Sequence, residues 1–414
     1  MPIRLPELLS PAGNAEKLEA ALRYGADAVY LAGKRFGMRS AADNFTIPEL
    51  SEGVRLAHSM NKKIYLTLNI LPREDMYPAL EEYLGEISGI PVDAFIVADL
   101  GVVSLLRRVR PDAVIHISTQ ASAVSSYACE MYKSLGASRV VLARELSLEE
   151  IKRIRDKTDI ELEVFVHGSM CVSYSGLCLL SDNLCGRDAN LGACAQPCRW
   201  KWRLVDQMYL PDGTPRFAVE ESKHQGELYP IEENEYGSFV MSCRDMCMIE
   251  HVGELVRSGV DCLKIEGRMK SAYYTAVTAN AYRIALDDYA AGREFDPALL
   301  TEVSSVSHRD FGTGHYFDRA DICEHEGYLR DTAYLATALE DAPAGQRCRF
   351  VQRNKAVSGM PAQLLTPGKI GRDFIIGDMW DENDCPIDST PHAGMIFYTA
   401  LPMDVKAGDI VRGK

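Results

Sequence analysis

"ELLSPAGNAEKLEAALRYGADAVYLAG", residues 7–33, decides the fold. The β-rich runs "PELLSPA" and "DAVYLAG" (27–33) flank a segment whose apolar residues recur at three- and four-residue spacings. Asn14 is a suitable cap at the start of that segment, and Gly25 a suitable stop. A strand, a helix and a strand in this order imply parallel pairing with a right-handed crossover.

The same rhythm continues outward. Further β runs are "KIYLTLNI" (63–70), "DAFIVADLG" (93–101), "AVIHISTQ" (113–120), "RVVLARELS" (139–147), "LEVFVHGS" (162–169) and "CLKIEGRMK" (262–270). Helical patterns lie between them; "SLEEIKRIRDKT" (147–158) opens with Ser147 and Glu150, a capping-box pair. Eight strands close a (β/α)8 TIM-like barrel. A doubly wound open sheet is the alternative, but "SPAGN" lacks the glycine-rich phosphate fingerprint that usually follows its first strand.

The rhythm breaks once. About ninety residues separate strands seven and eight, several times a usual crossover. This insertion, about 168–247, carries seven of the twelve cysteines: Cys171, Cys178, Cys185, Cys194, Cys198, Cys243 and Cys247. Within it, "RWKWRLVDQMYLPDGTPRFAVEE" reads as a hairpin turning at Pro211, Asp212 and Gly213. The helix pattern resumes at "MIEHVGELVRSG" (248–259), and "SAYYTAVTANAYRIALDDYAAG" (271–292) is a long helix. From about Glu326 the chain changes to short β runs with turns. The expected organisation is a barrel domain over 1–325 and a small β-barrel or sandwich domain over 326–414.

Composition narrows the function. No stretch approaches eighteen consecutive apolar residues, and the N-terminus lacks signal-peptide character, so a cytoplasmic protein without a membrane partner is expected. A net charge of −14 argues against a DNA-coating protein but leaves room for RNA on one local basic surface. In a reducing compartment, clustered thiols point to a metal or to catalysis rather than to disulfides. Their spacings, C-x6-C, C-x15-C-x3-C and C-x3-C, match neither common zinc ribbons nor standard ferredoxin runs, which leaves iron–sulfur and zinc both open.

Strand ends are where a barrel keeps its chemistry. Those read from the sequence are Ser10, Gly13, Asn69, Asp99, Ser118, Gln120, Arg144, Glu145, His167, Lys264, Glu266 and Arg268. Lys264 and Glu266 alternate with Leu263 and Ile265, so both are expected on one strand face, paired or facing a cavity. His167 and Cys171, four apart, suggest a Cys–His dyad, although no third orienting group is visible. "CRWKWR" (198–203) would give a strand one basic and one aromatic face, suited to RNA or to inward-packed tryptophans.

"ELLSPAGNAEKLEAALRYGADAVYLAG", "FVHGSMCVSYSGLCLLS", "GRDANLGACAQPCRW" and "CLKIEGRMKSAYY" together resemble the peptidase U32 family, the collagenase-like proteases. "VSHRDFGTGHYF" and "FVQRNK" extend the likeness over nearly the whole chain. Length and the C-terminal β domain are similar to the tRNA-hydroxylation branch. That branch implies 5-hydroxyuridine formation at the tRNA wobble position with prephenate, a small anionic donor, and a 4Fe-4S cluster on four cysteines. Carried over, the ligands are Cys171, Cys178, Cys194 and Cys247, with Cys198 as substitute. His167, Lys264 and Glu266 are then assigned to catalysis, and Gln120, Arg144, Arg199 and Arg268 to substrate. A partner subunit of the same family also belongs to this expectation. The alternatives are a collagenase-like peptidase and hydroxylation of ribosomal RNA or of a quinone precursor.

Overall fold

A computed structural model describes residues 4–39, 42–171, 173–209, 215–222, 228–231, 243–317, 329 and 332–414. Seven strands alternate with helices: β1 (Glu7–Pro11), β2 (Ala28–Leu31), β3 (Lys63–Leu68), β4 (Ala94–Val97), β5 (Ile115–Ile117), β6 (Arg139–Val141) and β7 (Glu161–Ser169). The intervening helices are α1 (Ala15–Arg23), α2 (Ile47–Ser59), α3 (Tyr77–Glu86), α4 (Leu100–Val109), α5 (Ser126–Ser134) and α6 (Leu148–Arg155). Local signals set their starts. The Asn14 side chain accepts from the Lys17 amide of α1, and Ser147 and Glu150 form a complete capping box on α6.

After β7 the chain makes its long excursion. It contains a short helix, α7 (Leu180–Cys185), and an antiparallel sheet of β8 (Trp202–Tyr209), β9 (Pro215–Glu221) and β10 (Leu228–Ile231). The expected hairpin is therefore present as β8 and β9; its turn at Pro211–Gly213 lies outside the described residues. β11 (Asp245–Cys247) returns antiparallel to the outer end of β7. α8 (Val252–Arg257) then leads into β12 (Cys262–Ile265), which pairs in parallel with both β1 and β7 and closes the barrel.

The eight parallel strands thus come from the eight runs read in the sequence, and the excursion falls between the seventh and eighth. Apolar side chains fill the space between strands and helices. Inside the barrel a smaller apolar layer of Leu9, Ala28, Tyr30, Tyr65, Ala94, Ile96 and Cys262 supports the chemistry above it. One irregularity matters for the site. Lys264 pairs with Phe165, but the next residue, Ile265, pairs with His167, so Val166 is an extra residue in β7. Such a bulge reverses the facing of whatever follows it.

α9 (Ala272–Ala290) and α10 (Ala298–Ser304) follow the barrel, then the short β13 (Phe311–Gly312) on the edge of β11. The separate C-terminal domain is an antiparallel half-barrel of β14 (Tyr334–Ala338), β15 (Arg347–Gln352), β16 (Pro361–Leu365), β17 (Arg372–Ile375), β18 (Met379–Trp380), β19 (Pro386–Ile387), β20 (Ile396–Ala400) and β21 (Ile410–Gly413). It has its own core around Phe350, Phe397 and Leu364. The expected boundary at Glu326 lies outside the described residues. Tyr24, just past α1, donates to the carbonyl of Leu365, Arg23 pairs with the buried Asp409 at 2.7 Å, and Arg412 of β21 meets Glu302 of α10. These contacts fix the domain to the helical side of the barrel.

Candidate functional site

At the carboxyl ends of the strands lies a cavity of about 120 Å3. Its wall combines strand-end residues, among them Tyr30, Thr67, Asn69, Phe165, Lys264, Glu266 and Arg268, with a roof taken from the excursion. Met38 and Arg39, from the loop between β2 and α2, complete it.

Charge inside the barrel is arranged in alternating sign. Lys264 Nζ lies 2.7 Å from Glu163, Glu163 lies 3.3 Å from Arg139, and Arg139 lies 2.8 Å from Glu7. Tyr65 donates to Glu7 at 2.8 Å. Burial alone would raise the Glu7 pKa, but Arg139 and Lys63 hold it below the ordinary carboxylate value. Lys264 also sits over the Tyr30 ring at 4.5 Å, so its charge is met from two sides where it enters the cavity.

Above this layer Glu266 accepts from the Tyr30 hydroxyl at 2.9 Å and lies 3.6 Å from Arg39. Burial works to raise its pKa; Arg39, Arg268 and Arg144 outweigh burial and keep the group ionised. Burial pushes Arg268 down to about 10, still fully charged at neutral pH. Arg268 donates to Thr67, and Arg144 donates to the Ser169 carbonyl while lying over the Phe165 ring. Counting the lining side chains, four arginines (Arg39, Arg144, Arg199, Arg268) face one carboxylate, with Lys264 offset by Glu163. The cavity is cationic in a chain of net charge −14.

Four thiols line the same cavity: Cys171, Cys178, Cys194 and Cys198. The Asn190 side chain grips the Cys178 backbone from both ends, donating to its carbonyl at 3.3 Å and accepting from its amide at 3.4 Å. The Cys194 sulfur accepts from the Gln196 amide. Burial pushes the Cys198 thiol up to about 11; Arg199 draws it down, and Cys171 and Cys194 press it up again. Among the described residues, no three His, Cys, Asp or Glu side chains stand close enough to share one metal ion.

The description "Peptidase family U32" matches residues 13–326, and "Peptidase family U32 C-terminal domain" matches 330–412. The chain belongs to peptidase family U32. Two relatives of this U32 chain run alongside almost all of it. The tRNA hydroxylation protein P1 of Bacillus subtilis is 37% identical over 98% of the chain and 94% of its own length. The tRNA hydroxylation protein P of Escherichia coli is 34% identical over 97% and 95%. The 23S rRNA 5-hydroxycytidine C2501 synthase of Escherichia coli is 33% identical over 75% of the chain and 42% of its own length.

Within this U32 barrel the site residues read from the sequence divide. Gln120, Arg144, Arg199, Lys264, Glu266 and Arg268 all line the cavity, as do Asn69 and Ser118. Gln120 is held by Asn69 at 3.3 Å. Asp99 instead caps α4, and Glu145 accepts from the Ser175 amide at 2.7 Å, tying down the roof. Gly13 allows close passage of the Arg268 carbonyl, where a Cβ would collide. Cys247 stands apart on β11, buried, with burial raising its thiol to about 12. Arg39 and Tyr30 escaped the strand-end reading. Arg39 lies in a loop at φ +69°, and "KRFGMR" (34–39) was the only signal for it. The 3-10 turn Pro197–Arg199 runs into "CRWKWR" and the strand starts only at Trp202, so Arg199 enters the cavity while Arg203 pairs with Glu220. Trp200 and Trp202 stack on one another at 6.0 Å.

His167 lies beyond the Val166 bulge, among Tyr274, Tyr282 and Phe311. Its Nδ1 is 3.5 Å from the Tyr282 hydroxyl. Burial, with Lys270 and His308 nearby, lowers its pKa to about 3. Above pH 6.5 the ring is neutral both folded and unfolded. Below it only the unfolded chain takes up the proton, until pH approaches 3. Folding stability is therefore expected to drop by about 1.4 kcal/mol per pH unit below 6.5 from this residue. Urea titrations at pH 7 and pH 5 should give a shallower drop for His167→Asn; equal drops would mean that the folded protein charges His167.

Proposed function

We propose that this chain is an iron–sulfur enzyme of RNA hydroxylation, acting on the wobble uridine of tRNA with prephenate as the oxygen donor. The carrying observation is the meeting of four thiols and four arginines in one cavity at the barrel mouth. The full-length relatives named for tRNA hydroxylation make tRNA the substrate of choice.

The donor set fits the cluster. A [4Fe-4S] centre takes four cysteine thiolates, and four cysteines line the one cavity. A buried thiol such as Cys198 ionises only with a cation to neutralise it. Cys171, Cys178, Cys194 and Cys198 would hold the cluster, which when bound would supply soft Lewis-acid or redox iron. Cys247 is the remaining candidate from the family motif.

The chain's own groups divide the other tasks. Arg144 and Arg268, joined by Arg39 and Arg199, would pair with the two carboxylates of the donor, which guanidinium groups grip bidentately. Gln120 would add a neutral hydrogen bond. Glu266, kept ionised beside the Tyr30 hydroxyl, is positioned to accept a proton at Oε2. Lys264, fixed by Glu163, would offer a cation to developing negative charge. A peptidase would need a base beside a nucleophile; His167 faces the aromatic group behind β7, while Cys171 faces the cavity.

The reading includes a reducing cytoplasmic setting, which keeps the thiols free. No described helix is long and apolar enough to cross a membrane. The decisive test is the tRNA nucleoside profile of a deletion strain. We expect 5-hydroxyuridine derivatives to vanish and to return with the intact gene. An unchanged profile would remove the tRNA assignment.

A further inference from the structure

The segment Tyr174–Leu180 has two sides. Ser175, Gly176, Cys178 and Leu180 line the cavity. Tyr174, Leu177 and Leu179 face outward and are 52%, 41% and 66% exposed. Three large apolar side chains in seven residues of cavity rim are unfavourable in water unless something covers them. The rim is also fixed in place. Glu145 takes hydrogen bonds from both the amide and the hydroxyl of Ser175, and Asn190 holds the Cys178 backbone.

We propose that this rim is a stacking platform for single-stranded RNA, on which Tyr174 takes the base next to the one that enters the cavity. The proposal rests on the RNA-modifying reading of the site and adds how the RNA is held. Two observations select this occupant. First, the apolar rim adjoins a cavity whose four arginines outnumber Glu266 and the two carboxylates of the donor together. Stacking faces beside cations are what an unpaired nucleotide, flat base and anionic phosphate together, requires. Second, three side chains fall well short of the roughly 800 Å2 per partner that a stable protein–protein interface buries, whereas a base needs one aromatic face. Leu177 and Leu179 would cover the sugar edges and exclude water from the stack.

Binding of the intact protein to two RNAs tests this: a hairpin with an unpaired, uridine-containing loop, and a blunt duplex of the same stem. Tyr174→Ala should weaken hairpin binding by roughly 5- to 150-fold, the factor for one lost base stack. Tyr174→Trp should retain it, and Leu179→Asp should weaken it. In Tyr174→Ala and Tyr174→Trp, which change no charge, duplex binding and the salt dependence of hairpin binding should stay as in the wild type, because no phosphate contact is removed. Equal hairpin affinity in wild type, Tyr174→Ala and Leu179→Asp would overturn the platform while leaving the RNA-modifying reading intact. A change of sedimenting mass in Leu179→Asp with unaltered RNA affinity would assign the rim to a protein contact and also overturn it. Wild-type protein that binds neither RNA would remove both the reading and the platform.

Discussion

On the proposed cluster reading, replacing Cys198 by serine is expected to strip the protein of iron, of its visible absorbance and of its support for tRNA 5-hydroxyuridine. Cys171→Ser, Cys178→Ser and Cys194→Ser should do the same, because each removes a sulfur from the cavity wall. Disturbing a group that merely orients a metal ligand costs about 10- to 100-fold in affinity, so loss of a ligand itself should exceed roughly 100-fold. Cys247→Ser is the informative partner. That thiol is buried on β11 beside the Tyr282 hydroxyl, and the variant should keep its iron and lose only packing. Iron and sulfide assays on anaerobically purified variants check both halves. Iron retained by Cys198→Ser and lost from Cys247→Ser would reverse the choice of ligands.

The second large effect concerns the barrel interior. Glu163 is fully buried and touches both Lys264 and Arg139. Glu163→Ala leaves the buried Lys264 without its carboxylate, while Arg139 keeps Glu7 and Glu161. Breaking a buried ion pair from one side costs about 3–5 kcal/mol, and the urea midpoint should fall accordingly. A double change, Glu163→Leu with Lys264→Met, should recover most of that loss, since apolar substitutes of similar size remove the charge requirement. The recovered protein should fold but remain inactive, as the cation at the cavity floor is gone. A shift below roughly 0.5 kcal/mol for Glu163→Ala, the range of an ordinary surface change, would mean that water reaches the pair.

The barrel is legible in the sequence because its signals are local. Asn14, Ser147 and Glu150 cap the helices that their positions imply, and each apolar β run needs only its neighbours to be recognised. The cavity cations Arg144, Lys264 and Arg268 are legible for a related reason: a charge just after an apolar strand falls at the mouth of a barrel. The sequence does not show where geometry departs from period two. His167 stands at a strand end in the sequence and so reads as a cavity residue; the extra Val166 turns it toward Tyr274 and Tyr282 instead. No residue type announces that bulge beforehand. Arg39 was hidden because its reach into the cavity depends on a left-handed backbone in a loop. The place of Cys198 depends on the 3-10 turn begun by Pro197, which motif likeness alone does not reveal.

The long excursion leaves from the end of β7 and returns as β11, and these two strands are hydrogen-bonded to each other with Asp245 opposite Ser169. Neighbouring strands stand about 4.8 Å apart, so entry and exit points of the excursion are held together by the sheet, whatever length of chain hangs between them. Its closure entropy is therefore borne by the scaffold rather than by its own packing. The roof behaves as an interchangeable fitting on a permanent frame: the cavity-lining residues it carries could be lengthened, trimmed or exchanged there without retuning the eight staves below.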